Sequence, residues 1–403
     1  MNRPKPPTIQ LDAASVDAWR VERQLLAAGR AANDAAHVAR HLVGVQAQVV
    51  SAAALAIALR SKADPDAPNL IDATTVALRE RRLVRSWAMR GTLHLFAAQD
   101  VATVAAALGG KDNWRRPAWL RWFGVSEAEM DRLIDTIGDV LDDGRPRTRA
   151  ELADEIGTRL DAKAGKLLLG SWGSTLKVAS DRHYLVQAAS EGAGVRFVKA
   201  SRWIDAWREE DPQTALAGLV VRYLAAYGPA TLKEILRWWG ASVVAVMKPL
   251  VADLGDALTQ VDVDGTRAYV RTEDVDDLRT TKATSGDVHL LGPFDPLIVG
   301  GGLRDALIPP AQLKRVSRTA GWISPVVLVD GRAAGVWDGT RTSKGIAITV
   351  DPFEPFDRAR RAAVARAAER VAAAQGLTGT VRYGRVFDPA ARGAKLVVTR
   401  DNA

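Results

Sequence analysis

Hydrophobic and polar positions follow the same order twice in the middle of the chain. In each copy a long amphipathic helix, predicted at residues 127–141 and 213–227, precedes a shorter helix that begins with a capping box. The boxes of this kind are Ser126 with Glu129, Thr148 with Glu151, and Thr231 with Glu234. In such a box the hydroxyl and the carboxylate cover amides that the first helical turn leaves without partners. The last two boxes lie about 80 residues apart, which indicates an internal repeat.

Each capped helix is followed by one more helical stretch and then by a two-stranded hairpin. The helical stretches are residues 163–178 and 242–254. The hairpin strands are residues 184–186 and 195–198 in the first copy, and residues 258–263 and 266–271 in the second. Asp264-Gly265 between alternating residues is a strong hairpin signal. Helix, capped helix, helix and hairpin is the order of a winged helix, so we predict two such units.

A third, looser copy is predicted near the N-terminus, with a helix at residues 70–80 and a hairpin at 83–96 that turns at Gly91. From about Val288 the pattern changes to short strands. These are residues 288–291, 322–329, 333–337, 346–350 and 378–386, with one helix at 356–375. The sequence therefore predicts an α+β fold in which three winged-helix units, at residues 15–110, 111–205 and 206–280, are followed by a barrel-like β-rich unit at residues 287–390.

Composition narrows the class of protein. The 403 residues are 47% hydrophobic and 25% charged, as expected for a globular protein of several units. The formal net charge of +8 favours a polyanionic partner without proving one. No cysteine is present, which excludes disulfides and thiolate catalysis. The polar start of the chain has no apolar signal segment, and no apolar run reaches spanning length, so we expect a cytoplasmic protein away from membranes.

Common cofactor and metal motifs are missing from the sequence. It has no phosphate-binding loop, dinucleotide fingerprint or H-E-x-x-H pattern. Residues 300–302 are three glycines, which we interpret as a flexible turn because no helix with Lys-Ser/Thr follows. His37 and His41 could share one helical face and a metal, but no third ligand is evident, so an ordinary pair of helix histidines is favoured. We expect neither a metal nor a cofactor.

Two glutamines stand on a segment between helices. Gly44 is expected to end a helix at residues 35–43, and Ser51 to cap a helix at 52–60. Valines alternate with Gln46 and Gln48, which indicates an extended segment where residues i and i+2 point the same way. The two amides could then act together, or they could satisfy backbone groups at a helix–helix turn. The residues by themselves favour the second explanation.

The run at residues 42–48 (LVGVQAQ) resembles the catalytic Gln-x-Gln motif of the AlkZ/YcaQ-type DNA glycosylases. Residues 86–94 (SWAMRGTLH), 291–296 (LGPFDP) and 321–331 (GWISPVVLVDG) match the same family in the same order. The YcaQ branch carries Gln-x-Asp at the first of these sites, so Gln48 indicates the AlkZ branch. The resemblance extends from about Val16 to Phe387.

The resemblance implies a fold, a substrate and a reaction. It implies tandem winged helices around a β-barrel, C-shaped with a basic concave DNA cleft, in a protein that acts as a monomer. It implies a monofunctional glycosylase that hydrolyses the N-glycosidic bond of cationic N7-alkylguanine in duplex DNA. The adducts would be bulky natural-product lesions, including interstrand crosslinks, as in self-resistance to genotoxins. Gln46 and Gln48 would be the catalytic pair.

Basic residues near aromatic ones are the candidate DNA contacts. Residues 111–122 interleave four basic side chains with three tryptophans, which could grip phosphates or simply form a solvated edge over core tryptophans. Arg85 precedes the first predicted wing, and Arg90 lies within it. The resemblance also implies a hairpin of the β-rich unit that enters DNA, with residues 338–344 as its tip. The predicted DNA-binding residues are Arg85, Arg90, Arg115, Arg116, Arg341 and Lys344.

Two other classes of protein remain compatible with the residues. A tandem winged-helix transcription regulator would share the fold without any catalysis. A protein that sequesters a drug or binds damaged DNA would also need no chemistry. Release of a base from alkylated duplex DNA separates the glycosylase from both.

Overall fold

The computed structural model describes residues 9–62, 69–109, 113–170, 173–189, 194–205, 207–240, 244–342 and 345–386. These residues form two compact units. The first unit combines residues up to 74 with residues from 220 onward, and the second unit is residues 75–219. The boundaries therefore fall inside two helices rather than in linkers, and the first unit is built from both ends of the chain.

The N-terminal elements are β1 (Ile9–Leu11), α1 (Ala13–Arg23), α2 (Ala35–His41), β2 (Val45–Gln46), α3 (Val50–Ala58) and α4 (Leu70–Arg79). Helix α2 ends at His41, two residues before the predicted end, because Val43 with a φ of 55° already takes the left-handed position after the cap. Gly44, with a φ of 95°, follows it, and its N–H donates to the Ala39 carbonyl over 2.8 Å. The prediction that Ser51 caps α3 is wrong, because the helix begins two residues earlier and its N-cap is Val49. Ser51 lies inside the first turn, where it cannot serve as the cap.

After α4, the described residues of the second unit form seven helices and five strands. They are β3 (Leu83–Trp87), β4 (Leu93–Ala97), α5 (Val101–Leu108), α6 (Pro117–Phe123), α7 (Glu127–Val140), β5 (Arg147–Thr148), α8 (Arg149–Arg159), α9 (Ala162–Gly170), α10 (Ser174–Asp181), β6 (Val186–Ala188), β7 (Arg196–Val198) and α11 (Ala200–Trp203). Strands β4, β3, β6, β7 and β5 lie side by side and are antiparallel. The helix predicted at 163–178 is two helices, since Gly173 adopts a φ of 76° before α10.

All three predicted capping boxes are present, and each has both of its hydrogen bonds. The third box opens α13 within the group α12 (Pro212–Tyr227), α13 (Leu232–Trp239), α14 (Val244–Asp253), β8 (Leu258–Val263), β9 (Thr266–Arg271) and α15 (Val275–Thr280). The β8–β9 hairpin has the predicted bounds. Asp264 and Gly265 both have positive φ at its turn, as a type I′ turn requires. Strand β1 pairs with β8 in parallel.

The C-terminal elements form an open sheet covered by a helix. They are β10 (Val288–Leu291), α16 (Pro296–Gly300), α17 (Arg304–Leu307), α18 (Leu313–Val316), β11 (Val326–Val329), β12 (Arg332–Thr342), β13 (Gly345–Pro352), α19 (Arg358–Ala373) and β14 (Gly379–Tyr383). The sheet order is β10-β11-β12-β13-β14, so β10 and β14 are edges among the described strands. The barrel-like prediction is therefore wrong for the described residues. Helix α19 connects β13 to the parallel β14 and buries one apolar face of the sheet, so the sheet need not close to cover that face.

The glycines at residues 300–302 are a close-packed junction, which corrects the prediction of a flexible turn. All three are buried. A Cβ on Gly302 would lie 2.2 Å from the Pro229 carbonyl oxygen, and one on Gly301 would lie 2.5 Å from that of Leu297. The Tyr223 hydroxyl donates to the Gly300 carbonyl over 2.9 Å. Glycine is needed here for close approach of the backbone, not for mobility.

Candidate functional site

The glutamine pair stands where a short strand leads into helix α3. Val45 and Gln46 form β2, and Gln48 lies in the bend that follows. Burial alternates along the segment: Val45 and Ala47 are buried, Gln46 is half-buried and Gln48 is exposed. The segment is therefore non-helical, as predicted, and its apolar positions anchor it while the glutamine positions face outward.

Side chains from α12 hold the backbone just before the glutamines. The Tyr227 hydroxyl donates to the Leu42 carbonyl over 2.9 Å, and Arg222 donates to the Arg40 carbonyl over 2.6 Å. Tyr227 is buried. The Leu42 carbonyl belongs to the C-cap residue of α2, and the Arg40 carbonyl in the last turn also accepts from the Val43 N–H over 3.1 Å. The start of the glutamine segment is thus fixed by contacts from residues distant in sequence.

The far end of α3 is held by a buried ion pair. Arg60 and Asp295 have fully buried side chains and form two hydrogen bonds, of 2.8 and 2.9 Å. Arg60 Nε also donates to the Gln24 carbonyl over 2.9 Å, and the Gln24 side-chain amide donates to the Ala226 carbonyl over 2.6 Å. Every charge in this cluster has a close partner, which a buried ion pair requires. Helix α3 is therefore fixed at its end opposite the glutamines.

Packing around α3 brings two of the family-like stretches together behind the glutamine segment. A Cβ on Gly292 would lie 3.0 Å from Leu55 Cδ2, so the glycine allows the loop after β10 to approach the helix. In the same loop the Phe294 ring contacts the Trp322 ring edge-on, with centroids 4.8 Å apart. Asp295, which pairs with Arg60, follows directly. The stretches at residues 291–296 and 321–331 thus support the helix that follows the glutamines.

Sequence reasoning did not identify this support. Arg60, Gln24 and Tyr227 were not among the predicted site residues. One signal for Arg60 was available: residues 42–59 contain no ionisable side chain, so an arginine directly after this run was a candidate for a buried charge. Its partner could not be identified in the same way, because 235 positions separate the two residues.

The two histidines of α2 contact each other and a backbone carbonyl. The rings of His37 and His41 stack with centroids 6.3 Å apart, and His41 Nε2 lies 2.6 Å from the Arg23 carbonyl oxygen. Burial lowers the pKa of His41. A neutral ring that donates to a carbonyl explains this position without a metal. In the described ranges no group of three or more His, Cys, Asp and Glu side chains could hold one.

Comparison with known proteins places this arrangement in a family. The family profile described as "DNA glycosylase AlkZ-like" matches residues 39–374. An interstrand DNA cross-link repair glycosylase of Streptomyces sahachiroi is 36% identical over 375 residues, which are 90% of this chain and 96% of that protein. The solved structure of Streptomyces sahachiroi DNA glycosylase AlkZ superposes with a TM-score of 0.84 at 33% identity, covering 93% of this chain and 100% of the other. This chain belongs to the AlkZ-like DNA glycosylase family. It is therefore an enzyme that acts on N-glycosyl bonds, with DNA as its substrate.

Of the glycosylase's predicted DNA contacts, Arg115 is already paired within its own unit. Its guanidinium donates to Glu127, and to both carboxylate oxygens of Asp131 over 3.2 Å, and it lies 4.3 Å from the Trp114 ring centroid. A phosphate would have to compete with these carboxylates. Arg116, the next residue, is exposed at the N-cap of α6 and is the better placed of the two.

The remaining predicted contacts that the structure describes lie on β-strands or in the turn between two strands. Arg85 is half-buried on β3 opposite Gln187 of β6, and Arg90 lies in the β3–β4 turn with Nη2 3.3 Å from His94 Nε2. Arg341 is exposed near the end of β12 and donates to Gln375 Oε1 over 3.3 Å. Lys344 lies outside the described residues. Among those that are described, no helix is long and apolar enough to cross a membrane.

Proposed function

We propose that this glycosylase removes cationic N7-alkylguanine from duplex DNA, with Gln46 and Gln48 as the catalytic pair. The observation that carries the proposal is that the glutamine segment offers carboxamides and no ionisable side chain. Two carboxamides stand on a fixed non-helical segment, and no ionisable side chain occurs between His41 and Arg60. Such a segment can orient water and stabilise positive charge, but it cannot remove or supply a proton at neutral pH.

The chemistry of the lesion matches those limits. Alkylation at N7 makes guanine cationic, so the base can leave with the electron pair of the N9–C1′ bond and becomes neutral without acid catalysis. Water then adds to the oxocarbenium-like C1′ and releases its proton to solvent. A carboxamide oxygen accepts a hydrogen bond from that water and places partial negative charge near the sugar cation. A neutral base such as uracil would leave poorly from this site.

The test is single-turnover release of N7-methylguanine from duplex DNA, measured as alkali-labile abasic sites. Gln46→Ala and Gln48→Ala should each slow release by about 10²- to 10³-fold, the effect of removing one positioned group that stabilises charge. Affinity for undamaged duplex should not change. Gln213→Ala, at an exposed position on α12, is the matched control. Wild-type rates in both site variants would show that the pair is not catalytic.

We further propose that bulky adducts and interstrand crosslinks are substrates. Support comes from the Streptomyces sahachiroi relative, which is described as a cross-link repair glycosylase. Base release from a duplex that is crosslinked through the N7 atoms of two guanines should proceed at a rate similar to that for N7-methylguanine. A rate far below that of N7-methylguanine would restrict the enzyme to small lesions.

The element orders support a tandem winged-helix architecture for DNA binding. The series α7-β5-α8-α9-α10-β6-β7 and α12-α13-α14-β8-β9 each place helices before a hairpin, and in the second Ala230 pairs with Tyr269 of β9 where a first strand is expected. We propose that Arg85, Arg90, Arg116 and Arg341 contact phosphates of the duplex and that the enzyme acts as a monomer. Binding that does not weaken between low and moderate salt would contradict the phosphate contacts.

A further inference from the structure

An open groove lies in the second unit, between helices α6 and α9. Its volume is about 700 Å³, within the roughly 300–1,000 Å³ typical of ligand pockets. Trp122 and Phe123 form one wall, Lys163, Lys166 and Leu167 form the other, and Gly170 and Ser174 complete the lining. None of the residues assigned to catalysis or to duplex binding above lines this groove.

The Trp122 wall presents an aromatic face to solvent. Trp122 is 84% exposed, while the neighbouring Phe123 packs against the core and its ring lies 4.1 Å from that of Trp119. A tryptophan buries a large apolar area when it finds a partner, so leaving it exposed forgoes that stabilisation. The exposed ring is therefore available as a stacking surface for a planar ligand.

The opposite wall supplies positive charge and open space. Lys163 and Lys166 are exposed on one face of α9, three residues apart. Lys163 Nζ lies 3.1 Å from Glu129, and no carboxylate is among the described residues that line the groove. Gly170, on the same face, has no atom within 4 Å of where a Cβ would lie. The groove thus combines a stacking surface, ammonium groups and room between them.

We propose that this groove binds single-stranded DNA, with an unpaired base stacked on Trp122 and a phosphate held by Lys166, while Lys163 contributes positive charge and would exchange Glu129 for a phosphate. Aromatic rings flanked by basic side chains are the usual means of binding single strands without sequence preference. A base-paired duplex could meet the lysines, but its bases already stack on one another and leave Trp122 uncovered. The proposal requires only that the chain act on DNA, and it is independent of which lesion the glutamines remove.

The test is fluorescence anisotropy of a short labelled oligothymidylate with the full-length protein. Trp122→Ala should weaken binding by between about fivefold and a hundredfold, the range for loss of one stacked base. Trp122→Phe keeps an aromatic face and should retain most of the affinity. Lys166→Glu should weaken binding and reduce its salt dependence, because it removes a phosphate contact. Gly170→Leu should block the groove, since the new side chain enters open space.

Two matched variants control for unspecific effects. Leu169→Ala truncates an exposed apolar side chain on the same helix outside the lining, and Lys248→Glu reverses an exposed charge on α14. Both should bind the oligonucleotide like the wild type, and all variants should release N7-methylguanine from duplex at the wild-type rate. Unchanged oligonucleotide binding by Trp122→Ala would overturn the proposal. Equal weakening of duplex binding, or a Trp122-dependent self-association in sedimentation, would overturn it in favour of a duplex or protein contact.

Discussion

The junctions that lead from an extended segment into the helices α3, α8 and α13 are built differently. Before α8 and α13 the N-cap is a threonine that exchanges hydrogen bonds with a glutamate three residues on, at 2.7 and 3.2 Å for Thr148 and at 2.8 and 3.3 Å for Thr231. Before α3, in the glutamine segment, the N-cap is Val49, whose side chain cannot accept a hydrogen bond. The first two junctions are stabilised within one helical turn, whereas the third is not.

The glutamine junction is held instead by residues distant in sequence. Tyr227 donates to the Leu42 carbonyl before it, and Arg60 pairs with Asp295 at the other end of α3. A segment fixed from outside does not need its own side chains for capping. The junction before α3 therefore has no side-chain N-cap, and its geometry depends on tertiary contacts.

The largest expected effect is loss of that tertiary support. Asp295→Ala leaves the Arg60 guanidinium buried without its counter-charge, which typically destabilises a protein by about 3–5 kcal/mol. The free energy of unfolding, measured by urea denaturation, should fall by that amount, and base release should fall with it. The control is Asp142→Ala, which removes the exposed partner of Lys199 and Arg202 and should change the free energy of unfolding little. If the two substitutions lowered the free energy of unfolding equally, the ion pair behind the glutamine segment would be no more important than an exposed one.

Loss of a local cap should have a smaller effect, and only on stability. Thr148→Ala should lower the free energy of unfolding by about 1 kcal/mol, within the range of roughly 0.5–2 kcal/mol for an N-cap. Thr231→Ala should cost more, because its partner Glu234 is buried and also accepts from the Arg304 N–H over 2.7 Å. Hydrogen exchange of the first turns of α8 and α13 would locate each loss. A slowed base release per folded molecule in Thr148→Ala would contradict a purely structural cap.

The contrast between local and distant contacts also explains what could be predicted from the sequence. The boxes at Ser126, Thr148 and Thr231 depend on residues three positions apart, so their spacing revealed them. The β8–β9 hairpin was predicted with the right bounds for the same reason, because Asp264-Gly265 fixes its turn. The non-helical form of the glutamine segment followed from alternation over a few residues. Each of these features depends on residues that are only a few positions apart in the sequence.

The features that were missed depend on contacts that spacing does not encode. Nothing near Arg60 specifies Asp295, and nothing in the strand pattern states whether β10 and β14 meet in a barrel or remain edges. Ser51 was expected to cap α3 on residue preference, but the helix begins at Val50. The glycines at residues 300–302 look flexible in sequence, and only the packing against Pro229 shows why side chains are excluded there.

The smallest expected effect comes from giving the third junction the cap that the other two have. Val49 is half-buried with extended backbone dihedrals, a φ of −115° and a ψ of 108°, which suit an N-cap threonine. Val49→Thr should raise the free energy of unfolding by about 0.5–1 kcal/mol and leave base release nearly unchanged, because distant contacts already fix the segment. A complete box is not available, since the position three residues on is the buried Ala52, where a glutamate would bury its charge.

Unfolding in urea and single-turnover release of N7-methylguanine measure the two effects. Val50→Thr is the matched control, because it adds the same hydroxyl inside the first turn. If Val49→Thr gives no added stability, other groups already accept from the first amides of α3; if it slows release, the geometry at residue 49 itself belongs to the site.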